Sequence, residues 1–317
     1  MISNDIALAV TALASGKLCA IPTETVYGLA ANALDETAVA RVFAAKERPA
    51  DHPLIVHVAC AQDVTEWITG LPKWAADLSA TFWPGPLTLV GPRSDLASDS
   101  VTGGQDTVAV RVPSHPIAQE LLSQLKVIGV KGLVAPSANR FGHVSPTSAK
   151  HVVADLGEYL SANGDVILDG GDCQVGLEST IVLANGPAPV ILRPGAITSA
   201  DIERITGVRV SNATTNFPRV SGSLDSHYSP NAKVVLIADL ADADFDPKAG
   251  FLALAEVPTP AELVRLGSPV TIEDFAHELY GCLRAGDELE LAKIYVVPPI
   301  GEGLAQAIND RLQRAAF

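Results

Sequence analysis

Ile21-Pro22-Thr23-Glu24-Thr25-Val26-Tyr27-Gly28-Leu29 is the stretch on which the reading of this chain turns. It follows an apolar run, 18–21, with the length and composition of a buried strand. Between Pro22 and Gly28 it packs two threonines, a glutamate and a tyrosine. Such a turn either holds a small polar ligand or is an ordinary strand-to-helix turn with threonine as cap. Downstream, residues 36–47 read as a helix and 54–58, 87–90, 108–112, 166–168, 179–183 and 190–192 as short strands bounded by Pro or Gly. That texture predicts an α/β (α+β) domain whose mixed sheet offers its loops for chemistry.

With 317 residues, two domains are expected. Between 211 and 231 the text becomes rich in Ser, Asn, Thr, Gly and Pro, which marks a linker. The predicted organisation is a first domain over 1–210, a linker over 211–232 and a small α/β domain over 233–317. In the last, 234–237, 251–255 and 294–297 read as strands and 273–284 and 304–315 as helices. A composition of 48% hydrophobic and 18% charged residues supports large cores and excludes global disorder. The net charge of −14 is shared equally between 1–210 and 211–317, which argues against a broad nucleic-acid-binding face. Cys19, Cys60, Cys173 and Cys282 are scattered, so no cysteine zinc site is expected. The N-terminus shows no basic signal region, and no apolar run reaches the roughly 18 residues a membrane span needs. A soluble, cytoplasmic protein with no membrane contact is expected.

Four further segments carry polar chemistry. Lys46-Glu47-Arg48-Pro49 ends the predicted helix, and His52 and His57 follow closely. Two cations and two histidines within twelve residues of an acidic chain suggest a local anion site, since Arg forks onto phosphate oxygens and Lys adds a point charge. Cations at a helix C-terminus also simply complement its dipole. Arg111 sits in the apolar run after Thr107, where a charge needs a partner: an acidic side chain or a substrate carboxylate. Pro136-Ser137-Ala138-Asn139, followed by Ser145 and Thr147, supplies short donors in a loop. Finally, Glu178-Ser179-Thr180-Ile181-Val182 precedes Arg193-Pro194-Gly195. There is no P-loop, no complete G-x-G-x-x-G and no G-x-S-x-G elbow, so any nucleotide would be held by scattered Lys, Arg and Ser groups.

Taken in order, Pro22–Leu29, Lys46-x-Arg48-Pro49-x-x-x-Pro53-Leu54, Pro84-Gly85-Pro86-Leu87-Thr88, Arg111-Val112-Pro113, Pro136–Asn139 and Glu178–Val182 resemble the Sua5/YrdC/YciO family of threonylcarbamoyl-adenylate synthases. His227-Tyr228-Ser229-Pro230 and the run from Gly303 through Arg311 to Leu312 extend the resemblance to the long two-domain form. The resemblance implies a YrdC-like twisted mixed sheet with a concave site, plus a Rossmann-like C-terminal domain. It implies a nucleotidyltransferase that joins L-threonine, bicarbonate and ATP, with Mg²⁺, into threonylcarbamoyl-AMP and pyrophosphate. The product would serve tRNA threonylcarbamoyl transfer proteins that modify adenosine 37, with at most weak tRNA contact by this chain. Carried over by motif, Thr25, His57, Arg111, Ala135 and Ser179 would contact threonine. ATP would be held by Arg48, His52, Thr107, Ser137, Ser145, Arg193 and Tyr228, the last as part of a lid, with Lys46 and Arg48 as the catalytic cations and no protein metal ligands. His52 stands where the family commonly has asparagine. Two other classes compete: a non-catalytic RNA-binding module, disfavoured by charge, and carbamoyl transfer of the hydrogenase-maturation type, for which no cysteine clusters are present.

Overall fold

The computed structural model describes residues 2–317 except 213–216, 223–226, 239 and 241–244, so the expected linker lies partly outside the described residues. The larger sheet is built from β1 (Ile2–Ser3), β2 (Cys19–Ile21), β3 (Gly28–Asn32), β4 (Ile55–His57), β5 (Leu87–Pro92), β6 (Thr107–Arg111), β7 (Leu133–Val134), β8 (Val166–Leu168), β9 (Thr180–Leu183), β10 (Val190–Arg193) and β11 (Ser211–Asn212). Their spatial order is β1-β8-β2-β3-β7-β4-β6-β5-β9-β10-β11, with parallel and antiparallel pairings mixed. Around it pack α1 (Ile6–Ala14), α2 (Glu36–Lys46), α3 (Val64–Trp67), α4 (Lys73–Phe82), α5 (Asp99–Thr102), α6 (Pro116–Val127), α7 (Ala149–Ala162) and α8 (Ser199–Thr206).

The opening stretch turns out to join two strands rather than a strand to a helix. β2 and β3 pair antiparallel, Cys19 opposite Ala30 and Ile21 opposite Gly28, so Pro22–Tyr27 caps a hairpin. Gly-Leu-Ala-Ala-Asn is poor strand material by propensity, yet β3 is almost wholly buried between neighbours on both edges. Tertiary pairing decides it. Gly28 allows a close approach, because a Cβ there would stand 3.0 Å from the Ala135 Cβ, tighter than ordinary contact.

Register then assembles the site. His57 pairs with Arg111 across β4 and β6, and Arg111 with Thr88 across β6 and β5. Residues in register on adjacent strands share a face, so these three side chains form one polar row in the middle of a hydrophobic sheet. α2 delivers the cations. Asp35 caps its start by accepting from the Ala38 N–H, and Glu47 ends it in the left-handed region at φ 55°, with the Arg48 N–H bonded to Phe43 O at 3.0 Å.

The second sheet is parallel throughout, ordered β12-β15-β13-β14, from β12 (Lys233–Leu236), β13 (Gly250–Leu252), β14 (Val264–Gly267) and β15 (Lys293–Val296). α9 (Ile272–Glu288) and α10 (Leu304–Ala316) cover it. α9 begins with a capping box between Thr271 and Asp274 and runs four residues past its expected end, because its apolar face continues to Gly286. The core of this unit does not close on itself: Phe275, Leu279 and Leu283 pack in one cluster with Val26, Val144 and Leu177 of the first unit.

Candidate active site

One cavity, of about 50 Å³, opens above the polar row, with space for a few waters. Among the residues expected at a site, Thr25, Arg48, His57, Arg111, Ala135, Ser137, Ser179, Arg193 and Tyr228 line it. Glu178, Ser221, Gly222 and His227 join them.

Its floor is the hairpin turn. Thr23 Oγ1 accepts from the N–H groups of Thr25 and Val26 and donates to Val26 O at 2.6 Å, which fixes the turn and aims Thr25 inward. Arg111 Nη1 donates to Thr25 Oγ1 at 2.8 Å, and Arg111 Nη2 stands 2.8 Å from Glu24 Oε1. The two readings of Arg111 therefore coincide: it has its acidic partner, and it still faces the cavity. Burial works against the Glu24 charge, but the adjacent Arg111 charge and hydrogen bond outweigh it and hold the carboxyl below its ordinary range. Burial, reinforced by the Arg111 charge, lowers His57 to about 3, so this imidazole is neutral at physiological pH. Its Nδ1 lies 3.2 Å from Ile55 O.

Two arginines form the opposite wall. Arg193 donates through Nε and Nη2 to Ser179 O, at 3.1 and 2.8 Å, and through Nη1 to Ser221 O at 2.9 Å. Ser179 Oγ lies 2.7 Å from Thr88 Oγ1. Arg48 donates through Nη2 to Pro53 O at 2.9 Å and more weakly to Ser221 Oγ, and its buried Nε has no hydrogen-bond partner. Burial lowers the guanidinium to about 10, still charged at neutral pH. The roof is Ser221, Gly222, His227 and Tyr228. Gly222 has φ +78°, and a Cβ there would meet the Tyr228 hydroxyl at 2.3 Å, so only glycine permits this closure. The Tyr228 hydroxyl and His227 Nδ1 are buried without hydrogen-bond partners, which suits groups awaiting a polar ligand.

Four expected site residues stand apart from the cavity wall. Lys46, on the buried face of α2, turns inward instead of facing an anion, and its Nζ donates to Ser137 O and Asn139 O, both at 2.6 Å. Burial and the nearby Arg48 charge lower its pKa well below the usual lysine value. It fastens the Pro136–Asn139 loop from behind. Ser145 is buried and donates to Glu178 Oε1 at 2.6 Å. Thr107 lines an adjoining hollow that shares Ile55 and Ser221 with the cavity. His52 sits at the rim, edge-on to Phe141 at 5.3 Å. Sequence reasoning had not placed Glu178, Ser221 and His227 in a site, although Glu178 and His227 stood in motifs it had singled out.

The chain has relatives that match this architecture. Its residues 11–195 match the family profile described as "Telomere recombination" (Sua5, YciO, YrdC), and 197–317 match "Threonylcarbamoyl-AMP synthase, C-terminal domain". It is 38% identical to the threonylcarbamoyl-AMP synthase of Pyrococcus abyssi, over 95% of this chain and 91% of that protein. With the Bacillus subtilis threonylcarbamoyl-AMP synthase it shares 35% identity over 99% and 94% of the two chains. The crystal structure of P. abyssi Sua5 complexed with L-threonine superposes with a TM-score of 0.84 at 36% identity, covering 98% of this chain and 94% of that one. A P. abyssi Sua5 variant with a His and a Tyr replaced by Ala gives 0.86 at 35% identity, over 100% and 95%. By sequence and by fold along its length, the chain belongs to the Sua5/YrdC/YciO family of threonylcarbamoyl-AMP synthases.

Proposed function

We propose that this chain makes threonylcarbamoyl-AMP and pyrophosphate from L-threonine, bicarbonate and ATP, the step that precedes N6-threonylcarbamoylation of adenosine 37 in tRNA. One observation supports this above the others: in a chain of net charge −14, three buried arginines, Arg48, Arg111 and Arg193, converge on a single cavity lined with short hydroxyl groups. A carboxylate, a carbamate and a triphosphate repel one another in water, and fixed cations in a closed site let them meet.

On this reading Arg111 pairs with the threonine carboxylate, and Thr25, neutral His57, Ala135 and Ser179 surround the amino acid. Loss of water from bicarbonate and the threonine amine gives the carbamate, whose oxygen attacks the α-phosphorus of ATP as pyrophosphate leaves. Arg48, Arg193, Ser137 and Tyr228 hold the nucleotide, and Lys46 serves by holding the Ser137 loop. Among the described residues no side chain at the cavity is arranged as a covalent nucleophile. Positioning alone can supply roughly 7–11 kcal/mol of the barrier.

Among the described residues no group of three or more His, Cys, Asp or Glu is placed to hold a metal ion. The two carboxylates at the site, Glu24 and Glu178, are each tied to an arginine. Mg²⁺ then enters as MgATP, as part of the substrate. We assign the enzyme to the cytoplasm, with transfer to tRNA left to partner proteins; no helix among the described residues is long and apolar enough to cross a membrane. A non-catalytic RNA-binding role finds little support, because Lys46, Arg48, Arg111, Arg193, Arg284 and Arg311 are buried instead of forming a cationic face.

The test is pyrophosphate release from MgATP and bicarbonate, with and without L-threonine, together with mass detection of the adenylate. Threonine-dependent release with the adduct is expected. Release indifferent to threonine would sink the reading.

A further inference from the structure

Glu178 poses a problem for a cavity built to receive anions, because its carboxylate stands in the wall. The second domain answers it. Arg311, on α10, is fully buried and donates through Nε to Glu178 Oε2 at 2.9 Å, through Nη2 to Pro194 O at 3.0 Å and through Nη1 to Asp310 Oδ2 at 2.5 Å, Asp310 being shared with Arg314. Tyr280, on α9, donates to the same carboxylate oxygen at 2.8 Å, and Ser145 donates to the other at 2.6 Å. The Arg311 guanidinium also lies over the Tyr228 ring, 5.2 Å from its centroid, and Tyr228 stacks on Tyr280 at 5.6 Å.

We propose that Arg311 is a positioning residue for the nucleotide half of the site, neutralising Glu178 so that Arg193 and Arg48 remain directed at the substrate's phosphates. Arg193 makes its hydrogen bonds to Ser179 and Ser221 and none to Glu178, although it lies within electrostatic reach of that carboxylate. With Arg311 gone, Arg193 is the next cation available. Glu178 then draws it off the cavity, and the uncompensated negative charge repels a triphosphate. The contribution of the second domain is thus a counter-charge delivered from behind the wall. This inference rests on the nucleotide reading above.

Burial works to raise the Glu178 carboxyl, but the charges of Arg311 and Arg193 and the hydrogen bonds of Ser145 and Arg311 bring it down to about 2. The groups facing it are Arg311 from α10, Tyr280 from α9, Arg193 from β10, Ser145, and His227 and Tyr228 ahead of β12. Of these cations Arg311 is the one in contact, so its removal lets Glu178 titrate upward towards the ordinary range.

The experiment compares full-length Arg311→Met, Arg311→Lys and the double variant Glu178→Gln/Arg311→Met with the parent, reading MgATP affinity by calorimetry, separate KM values for ATP and threonine, and folding by circular dichroism. For Arg311→Met, the KM for ATP should rise roughly 10- to 100-fold, as an unscreened charge near a phosphate implies. The KM for threonine should stay within about threefold. Arg311→Lys, which keeps the charge, should lie between Arg311→Met and the parent. The double variant should return to within about threefold of the parent. If Arg311→Met does not fold, the double variant carries the test, since it removes both halves of the Glu178–Arg311 pair together. Unchanged ATP affinity in a folded Arg311→Met, or weak ATP binding by a folded double variant, overturns the inference alone. A parent protein that neither binds MgATP nor forms the adenylate overturns both this inference and the function on which it rests.

Discussion

Two buried Glu–Arg pairs border the same cavity, and they are built for different work. Glu24 and Arg111 come from the hairpin turn and β6 of one domain, 2.8 Å apart, and Arg111 keeps its face towards the cavity through Thr25. Glu178 and Arg311 come from different domains, 2.9 Å apart, and there the carboxylate lines the cavity while the arginine lies behind it. A buried pair is weak grounds for stability, because desolvation offsets much of the attraction. Its placement is what informs. In the first pair the carboxylate orients a cation that meets substrate; in the second the cation silences a carboxylate that would otherwise repel it.

The sharpest way to break that contrast is to neutralise the first pair. Arg111→Ala strands Glu24 in the interior, with an expected cost of roughly 3–5 kcal/mol in stability and loss of turnover. Adding Glu24→Gln should recover most of the stability, read by urea unfolding, and none of the threonine-dependent pyrophosphate release. Recovered turnover in the Glu24→Gln/Arg111→Ala protein would reduce Arg111 to a structural residue and make the two pairs equivalent.

Arg48 sharpens the comparison from the nucleotide side. Among the described residues it has no acidic partner at the cavity, so Arg48→Ala should fold normally. The lost charge-assisted contact should weaken MgATP by about 1.5–3 kcal/mol. Calorimetry showing unchanged affinity would remove Arg48 from the site.

Acid should expose both regions together. His57 and His227 are each lowered to about 3, chiefly by burial, from an ordinary value of 6.5. The unfolded chain therefore binds more protons than the folded one between about pH 6.5 and 3, and stability falls as pH falls through that window. Each histidine contributes a slope of up to about 1.4 kcal/mol per pH unit. Glu178, held at about 2 against an ordinary 4.5, contributes stability present above 4.5 and lost as pH falls towards 2. Urea midpoints measured from pH 7 to 4 should fall steadily and fall less in His57→Gln. A flat profile would contradict the buried, neutral state of these imidazoles.

How far the sequence reveals this site depends on distance along the chain. Lys46, Arg48 and Pro49 announce a cationic helix end, and Thr107 to Arg111 a strand with a charge in it, because those signals lie within a few residues of each other. The destination of Lys46 is not legible, since it depends on two carbonyls more than ninety residues away. β3 is hidden for a similar reason: its alanines gain strand geometry only from β2 and β7. The Glu178–Arg311 pair spans 133 positions, and neither partner has a local pattern that names the other. Half of the net charge of −14 falls in the last third of the chain, a density that makes the C-terminal part a poor candidate for an anion site by composition, whereas one buried arginine decides its role.

The smallest effect is expected at His52, and it separates the rim from the wall. This imidazole is half-buried, meets Phe141 edge-on at 5.3 Å and lies outside the residues lining the cavity. Burial, followed by the Arg48 charge, lowers its pKa, so it adds no cation to the site at neutral pH. Asn at this position keeps a donor and loses the ring contact with Phe141, so His52→Asn should change the KM for ATP by a factor worth less than about 1 kcal/mol. A larger loss would move His52 from the rim into the nucleotide site. The anion-binding wall would then extend past Arg48 to the loop that Phe141 now covers.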